Sequence, residues 1–117
     1  MFYFVDIMGE PDYLGQFEQL VLLAVLRLGA DAYGVTIRQE IELRTGKAIS
    51  IGATYATLDR LERKRYVRSW SGDPTPQRGG RSKRYFSVEA EGARALKHTL
   101  EAVGSMREGL QPVLGAI

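Results

Sequence analysis

The segment "SIGATYATLDRLERKRYV", residues 50–67, decides the fold. Ser50 is a natural N-cap, because its hydroxyl can accept a hydrogen bond from the first turn of a helix. Leu58 and Leu61 mark the inward face of this helix. Another face carries residues at steps of three and four, namely Thr57, Arg60 and Lys64. The segment therefore predicts an amphipathic helix with a cationic side.

Two helices are predicted before this segment. In "GQFEQLVLLAVLRLG", residues 15–29, apolar side chains cover almost the whole circumference, which is typical of a buried helix. In "DAYGVTIRQEIELRTGKAIS", residues 31–50, Tyr33, Ile37 and Ile41 form a stripe on one face, and Gly46 ends the helix. Two helices joined by a short turn thus precede the cationic helix.

Two short strands are predicted after it, "VRSWS" at 67–71 and "KRYFSV" at 83–88, with Phe86 facing inward. The stretch between them, "GDPTPQRGGRS", holds two prolines and three glycines and is predicted to be a loop. Three interpretations are open for its basic end: a solvated hairpin turn, a phosphate-binding enzyme loop, or an arm that contacts nucleic acid. A phosphate-binding loop would need a Gly-Lys-Ser/Thr ending before a helix, and "RGGRSK" precedes a strand.

The last predicted helix is "AEGARALKHTLEAVGSMREGLQ", residues 90–111. Its apolar residues follow three- and four-residue steps, close to a coiled-coil seam: Ala93, Leu96, Leu100, Val103, Met106 and Leu110. Such a helix either folds back on the core or pairs with a second chain. Gly104, Gly109 and Pro112 weaken its end.

Charge is unevenly distributed along the 117 residues. Residues 60–84 contain nine cations and two anions, a net charge of +7, whereas the whole chain has a net charge of +2 and the remainder is therefore at −5. A basic zone on an otherwise acidic chain favours a polyanionic partner that one surface contacts. A solvated charged helix and hairpin would give the same pattern.

Catalysis finds little support in the sequence. There is no cysteine, which excludes disulfides, thiolate nucleophiles and cysteine metal sites, and the lone His98 lies among alanine, leucine and lysine. Neither paired carboxylates nor metal-ligand spacing stands out. We expect no enzyme activity, no metal and no cofactor, and a cytoplasmic location. The N-terminal residues 1–13 lack the pattern of a secretory signal, and no apolar run is long enough for a membrane span. Met8 is an alternative candidate for the first residue of the native protein.

Double-stranded DNA is the partner that the residues favour. The small residues at the start of the cationic helix would let it approach the floor of a major groove, which is about 12 Å wide. Thr54, Tyr55 and Thr57 offer hydroxyls there, and Arg60 offers a fork for guanine or phosphate. The basic loop would act as a wing that reaches a neighbouring phosphate strand or the minor groove.

Several of these side chains have a second interpretation. Tyr55 could equally pack between helices, and Trp70 most simply packs against the hairpin, a ligand-pocket wall being its alternative. Arg63 and Arg65 are expected to face solvent or acidic neighbours. Arg84 alternates onto the inward side of its strand, where it could pair with a carboxylate.

The combined pattern resembles the PadR-like family of bacterial transcriptional regulators over about residues 14–100. The resemblance lies in the order and spacing of Tyr33-Gly34, Gly52, Tyr55, Leu58-Asp59-Arg60-Leu61-Glu62, Lys83-Arg84-Tyr85-Phe86-Ser87-Val88 and Gly92. The sequence departs from the family in having Ala56 for a proline, Arg65 for a glycine and Glu89 for a threonine.

The resemblance implies a mainly helical α+β fold: a winged helix-turn-helix over residues 14–89, after an N-terminal extension at 1–13, and a C-terminal dimerisation helix at 90–117. It implies a homodimeric repressor that binds a palindromic operator and is released by a small aromatic effector. The recognition helix would present Ser50, Thr54, Tyr55, Thr57, Arg60 and Lys64. The wing would present Gln77, Arg78, Arg81 and Lys83. A rival interpretation is a protein-interaction module that docks a partner through its last helix without binding specific DNA.

Overall fold

The computed structural model describes residues 13–72 and 82–115, and in these ranges it is mainly helical with one small sheet. Three helices come first, α1 (Gln16–Leu28), α2 (Gly34–Thr45) and α3 (Ile51–Arg63), with a 3₁₀ turn at Gly29–Asp31 between the first two. Two strands follow, β1 (Val67–Ser71) and β2 (Arg84–Val88). The chain then forms α4 (Ala90–Arg107) and a short α5 (Gln111–Leu114). The predicted mainly helical winged helix-turn-helix fold is confirmed.

The core lies where α1, α2 and α3 meet. Val21 and Leu22 of α1, Ile37 of α2 and both leucines of α3, Leu58 and Leu61, are fully buried. The inward face predicted for the third helix is therefore confirmed. Because packed interiors resist changes of even one methylene, these contacts fix how α3 lies on the other two helices.

The two strands form an antiparallel pair in which Val67 lies opposite Val88 and Ser71 opposite Arg84. Phe86 is buried, as its alternating position predicted. Its backbone N–H donates to the carbonyl of Ala32, 2.9 Å away, which attaches the hairpin to the segment before α2. The hairpin is thereby fixed to the helical core at its base.

The last long helix is shorter than the sequence predicted. We expected it to continue to residue 111, but α4 ends at Arg107 and Gly109 takes a left-handed φ of 84°. A new helix begins at Gln111, with Pro112 in its first turn, where the missing N–H of proline costs nothing. The expectation of one continuous helix was wrong because glycine and proline together restart the chain here.

The first half of α4 belongs to the core. Leu96 and Thr99 are buried, and the Thr99 hydroxyl accepts a hydrogen bond of 3.1 Å from the backbone N–H of Leu14.

In the described parts of the chain, no helix has the length and apolar character to cross a membrane.

Helix α3 ends in a Schellman motif that is closed by an arginine. The backbone N–H of Arg65 donates to the carbonyl of Glu62, and that of Tyr66 donates to the carbonyl of Leu61, both at 2.9 Å. The motif requires a left-handed residue, and Arg65 takes it with φ of 65°, the only non-glycine in the described ranges with positive φ. Glycine takes this conformation without the steric cost that a Cβ adds.

Replacing Arg65 with glycine should therefore raise the free energy of unfolding. The expected gain is about 0.5–1 kcal/mol, since relief of the left-handed strain exceeds the extra freedom that glycine gives the unfolded chain. Chemical denaturation would measure it. Arg63→Gly is the matched control, because it removes the same charge from a helical position and should destabilise by up to about 1 kcal/mol. A loss of stability in Arg65→Gly would contradict the strain.

Candidate nucleic-acid interface

One side of α3 is open to solvent along its whole length. At 3.6 residues per turn this side is opposite the buried leucines, Leu58 and Leu61. The most outward positions are Gly52, Ala56 and Arg63, all exposed. Ala53, Asp59 and Arg60 border them. We call these six residues the α3 stripe.

The α3 stripe is slim at its start and charged at its end. Its first turns carry only glycine and alanine, so the helix backbone itself is accessible, and its last turns carry Asp59, Arg60 and Arg63. Arg63 is exposed and makes no ion pair with a residue that the structure describes. A helix of this shape suits the floor of a DNA major groove, with guanidinium groups at one end.

Two of the predicted hydroxyl contacts are used inside the protein. Thr54 is fully buried, and its hydroxyl donates to the carbonyl of Ser50 at 3.0 Å. Thr57 is also buried, and its oxygen accepts a hydrogen bond from Arg60. In this structure neither hydroxyl is available to a DNA base, because both lie on the side of α3 that packs against the core.

Ser50 and Tyr55 also have structural roles. The Ser50 hydroxyl caps α3 by accepting the backbone N–H of Ala53 at 3.0 Å, while the residue itself stays exposed. Tyr55 packs against the core, and its ring is so close to Gly34 that a Cβ there would lie 2.2 Å from the phenol oxygen. Of the two interpretations for Tyr55, packing between helices is the observed one, and it explains the glycine at the start of α2.

The predicted cations Arg60 and Lys64 are both paired with α1. Arg60 Nε lies 3.1 Å and Lys64 Nζ lies 3.2 Å from the same Glu18 oxygen. The other Glu18 oxygen accepts the backbone N–H of Gly15 at 2.9 Å, which caps the start of α1. Burial would raise the pKa of the Glu18 carboxyl, but these hydrogen bonds from Gly15, Arg60 and Lys64 lower it below its ordinary value.

The other flank of α3 is tied to the hairpin. Arg84 of β2 pairs with Asp59 at 3.1 Å and also with Glu62, which accepts a hydrogen bond from Ser69 of β1. Partial burial would lower the pKa of the Arg84 guanidinium, but its hydrogen bonds to Asp59 and Glu62 raise it. The carboxylate interpretation of Arg84 is thus confirmed, and the hairpin is fixed relative to α3.

Aromatic rings cover the outer side of the hairpin. Tyr85 packs edge-on against Tyr33, with centroids 5.4 Å apart, and stacks against Trp70 at 6.2 Å. Lys83 is exposed, and its ammonium lies 4.6 Å from the Tyr33 ring centroid. Packing against the hairpin is therefore the observed role of Trp70. The predicted wing residues Gln77, Arg78 and Arg81 lie outside the described residues.

The predicted dimer face is partly available. Leu96 is buried in its own chain, so it offers no surface to a second one. The exposed residues of the predicted set are Ala93, Leu100, Val103, Met106 and Leu110. Val113 and Leu114 of α5 are exposed as well. An apolar surface thus extends along α4 and continues past its end.

Several residues of this interface were missed from the sequence. The sequence predicted that small residues at the start of this helix allow close approach, but neither Ala53 nor Ala56 was named as a contact, and Arg63 was expected to face solvent or acidic neighbours. A helical wheel built on Leu58 and Leu61 would have found all three opposite the core. Glu18 gave no signal, since its contacts are 42 and 46 residues away in sequence.

Within the described ranges, no group of three His, Asp or Glu side chains could hold a metal ion.

Comparison with known proteins places this geometry in a family. The model of the transcriptional regulator PadR-like family matches residues 22–98, about two thirds of the chain. A relative from Lysinibacillus sphaericus, described as an uncharacterized protein, is 29% identical over 96 residues, covering 80% of this chain and 84% of its own.

Solved structures share the fold. A PadR family transcription regulator from Clostridium difficile R20291 superposes with a TM-score of 0.66 at 20% identity, covering 85% of this chain and 99% of that one. A PadR-like transcriptional regulator from Bacillus cereus gives 0.65 at 15% identity, covering 86% and 93%. RosR from H. salinarum gives 0.62 at 25% identity, covering 82% and 79%.

The likeness to these structures shows a shared fold, and PadR family members are transcriptional regulators rather than enzymes. The chain described here belongs to the PadR-like family of transcriptional regulators.

Proposed function

We propose that this protein is a sequence-specific DNA-binding repressor that acts in the cytoplasm as a homodimer on a palindromic operator. In each chain α3 enters a major groove, and the hairpin reaches the flanking backbone as a wing. The two recognition helices enter successive major grooves, about one helical turn or 34 Å apart. The α3 stripe is the observation that carries this proposal.

The α3 stripe supports groove entry for two reasons. Its glycine and alanines let the helix backbone approach the base edges, and its arginines supply donors for guanine or phosphate. Of the ten DNA contacts first predicted, we retain Ser50, Arg60 and Lys83 among the described residues, and we add Arg63. We also retain the wing residues Gln77, Arg78 and Arg81.

The homodimer is supported by the apolar surface on α4 and α5. Met106 is 79% exposed, and Leu100, Val103 and Leu110 are each more than 40% exposed. Exposed apolar residues that continue along one helix are typical of a face that another chain covers. A second copy would also supply the second recognition helix that a palindrome requires.

Release of DNA by a small aromatic effector is proposed on the family resemblance alone. Helix α4 contains no Phe, Tyr or Trp to stack on such a ligand.

The rival function is a protein-interaction module that uses the same apolar surface to dock a different protein. Retention on heparin or on random duplex at low salt separates the two, because a module of this kind has no need of a cationic surface. Elution at low salt would favour the rival.

The proposal is tested by titrating the protein against the DNA upstream of its own gene. Random duplex serves as competitor, at two salt concentrations. A sequence-specific repressor gives binding that resists the competitor and weakens with salt, because each phosphate contact releases counterions. Equal binding to both duplexes would overturn the proposal.

Arg63→Ala should weaken binding to the operator by about 1–3 kcal/mol, since Arg63 is the outward-facing cation at the end of the α3 stripe. Stability should hardly change, because the side chain is exposed. Equilibrium titration measures the loss. Arg94→Ala removes an exposed arginine of α4 and should bind like the wild type. If the two variants bind alike, Arg63 does not contact DNA.

Lys83→Ala should weaken binding to operator and random duplex by similar factors, because an ammonium at the base of the wing contacts phosphate rather than bases. The slope of log affinity against log salt should fall by about one. Lys97→Ala, on α4, is the control and should keep the wild-type slope. A slope that stays unchanged in Lys83→Ala would remove this residue from the phosphate contacts.

Met106→Glu should convert the homodimer to a monomer, because a carboxylate would then have to lose its water in an apolar interface. Light scattering over a range of protein concentrations measures the mass. Ser105→Glu places the same charge at the neighbouring position, off the apolar steps, and should remain dimeric. A Met106→Glu protein that still dimerises would show that another surface forms the dimer.

A further inference from the structure

Glu18 is the most buried carboxylate in the described part of the chain that forms an ion pair. Its side chain is 8% exposed, and it lies in the first turn of α1, far in sequence from the α3 cations it contacts. Both of its oxygens are engaged, one by the Gly15 N–H and the other by Arg60 and Lys64. A buried charge that lost these partners would be strongly unfavourable, so the contacts are constrained.

The contact with Glu18 fixes the geometry of Arg60. Arg60 donates one hydrogen bond from Nε to Glu18 and another from Nη2 to the Thr57 hydroxyl oxygen, which is 3.3 Å away. The guanidinium has five N–H donors in a rigid fork, so three donors, including both on Nη1, are not engaged by these two anchors. A fork held at two points loses less rotamer freedom when it meets a base than a freely moving arginine does.

Glu18 also reduces the positive charge that α3 offers to phosphates. One carboxylate lies within 3.2 Å of two cations, Arg60 of the α3 stripe and Lys64 just after the end of α3. Affinity for random DNA depends mainly on how many cations reach phosphates, whereas discrimination depends on donors held against base edges. Loss of the Glu18 charge should therefore raise the affinity for random DNA and lower the discrimination between DNA sequences.

We infer that Glu18 is a positioning residue for operator recognition: it holds the Arg60 fork in one geometry and keeps Arg60 and Lys64 from binding phosphates indiscriminately. The inference rests on the proposed function, because it concerns how the same surface discriminates between DNA sequences. Glu18 lies on α1, so a residue outside the proposed DNA-contacting helix would contribute to specificity.

The test is Glu18→Gln, which keeps the shape of the side chain and an oxygen that can accept the Gly15 N–H. The ratio of operator to random-duplex affinity should fall about 10-fold, the value of one well-placed bidentate contact. The salt slope on random duplex should steepen by about one for each cation that is released to phosphate. An unchanged ratio and slope, with only a lower melting temperature, would show that Glu18 is purely structural.

Glu40→Gln is the matched control, because Glu40 also holds two arginines, Arg27 and Arg44, on one oxygen. That cluster joins α1 to α2 and does not involve α3. Its loss should leave both the affinity ratio and the salt slope at wild-type values. An equal fall of the ratio in Glu40→Gln would overturn the inference, since any lost ion pair would then have the same effect.

Two further variants show whether Glu18 acts through Arg60. In an Arg60→Ala background, Glu18→Gln should lower the ratio no further; an additional 10-fold fall would contradict the inference. If Glu18→Gln does not fold, Thr57→Val tests the same fork, because it removes the second anchor and keeps the shape and the Glu18 contacts. Its ratio should fall, and a wild-type ratio would overturn the positioning.

Failure of this inference is distinguishable from failure of the proposed function. A wild-type protein that binds operator and random duplex equally defeats the proposed function. A wild-type protein that discriminates, together with a Glu18→Gln variant that discriminates equally well, defeats only the role of Glu18.

Discussion

The orientation of α3 depends on ion pairs along its two flanks, in which the helix side contributes cations on one flank and carboxylates on the other. On one flank a buried carboxylate of α1, Glu18, pairs with Arg60 of α3 and with Lys64, which directly follows the helix. On the other flank a cation of β2, Arg84, holds two carboxylates of α3, Asp59 and Glu62. Leu58 and Leu61 attach the same helix to the core from below. Rotation of α3 would break both sets of pairs, so one helix face is left outward and the hairpin keeps a fixed position beside it.

This arrangement supports the proposal that a strongly basic segment forms a sequence-selective surface rather than a uniformly positive one. Much of the charge of α3 is paired within the molecule, and the most outward positions of the helix are Gly52, Ala56 and Arg63. Small residues allow close approach to base edges, whereas internal pairing restrains the neighbouring cations. Under the proposed function, the small residues and the paired cations would together favour contacts with base edges over indiscriminate contacts with phosphates.

Periodicity and turn residues predicted most of the fold. The apolar steps of the helices, Ser50 as a cap and the alternation around Phe86 were sufficient for the element order, because these signals are local. Helix α4 was predicted too long, since apolar steps continue through Gly109 although the backbone there becomes left-handed. The site was harder to predict. Whether Thr54 faces the core or a groove depends on how α3 packs, and the partners of Arg60 and Arg84 lie far away in sequence. Such pairings arise only after the helices meet.

The central claim is that α3 of each chain lies in a major groove. Dimethyl sulfate protection tests it most directly, because the reagent methylates guanine N7 in the major groove and adenine N3 in the minor groove. With the wild-type protein on the DNA upstream of its gene, we predict two clusters of protected guanine N7 about one helical turn apart. Protection confined to adenine N3, or guanines that remain fully reactive at saturating protein, would contradict the account.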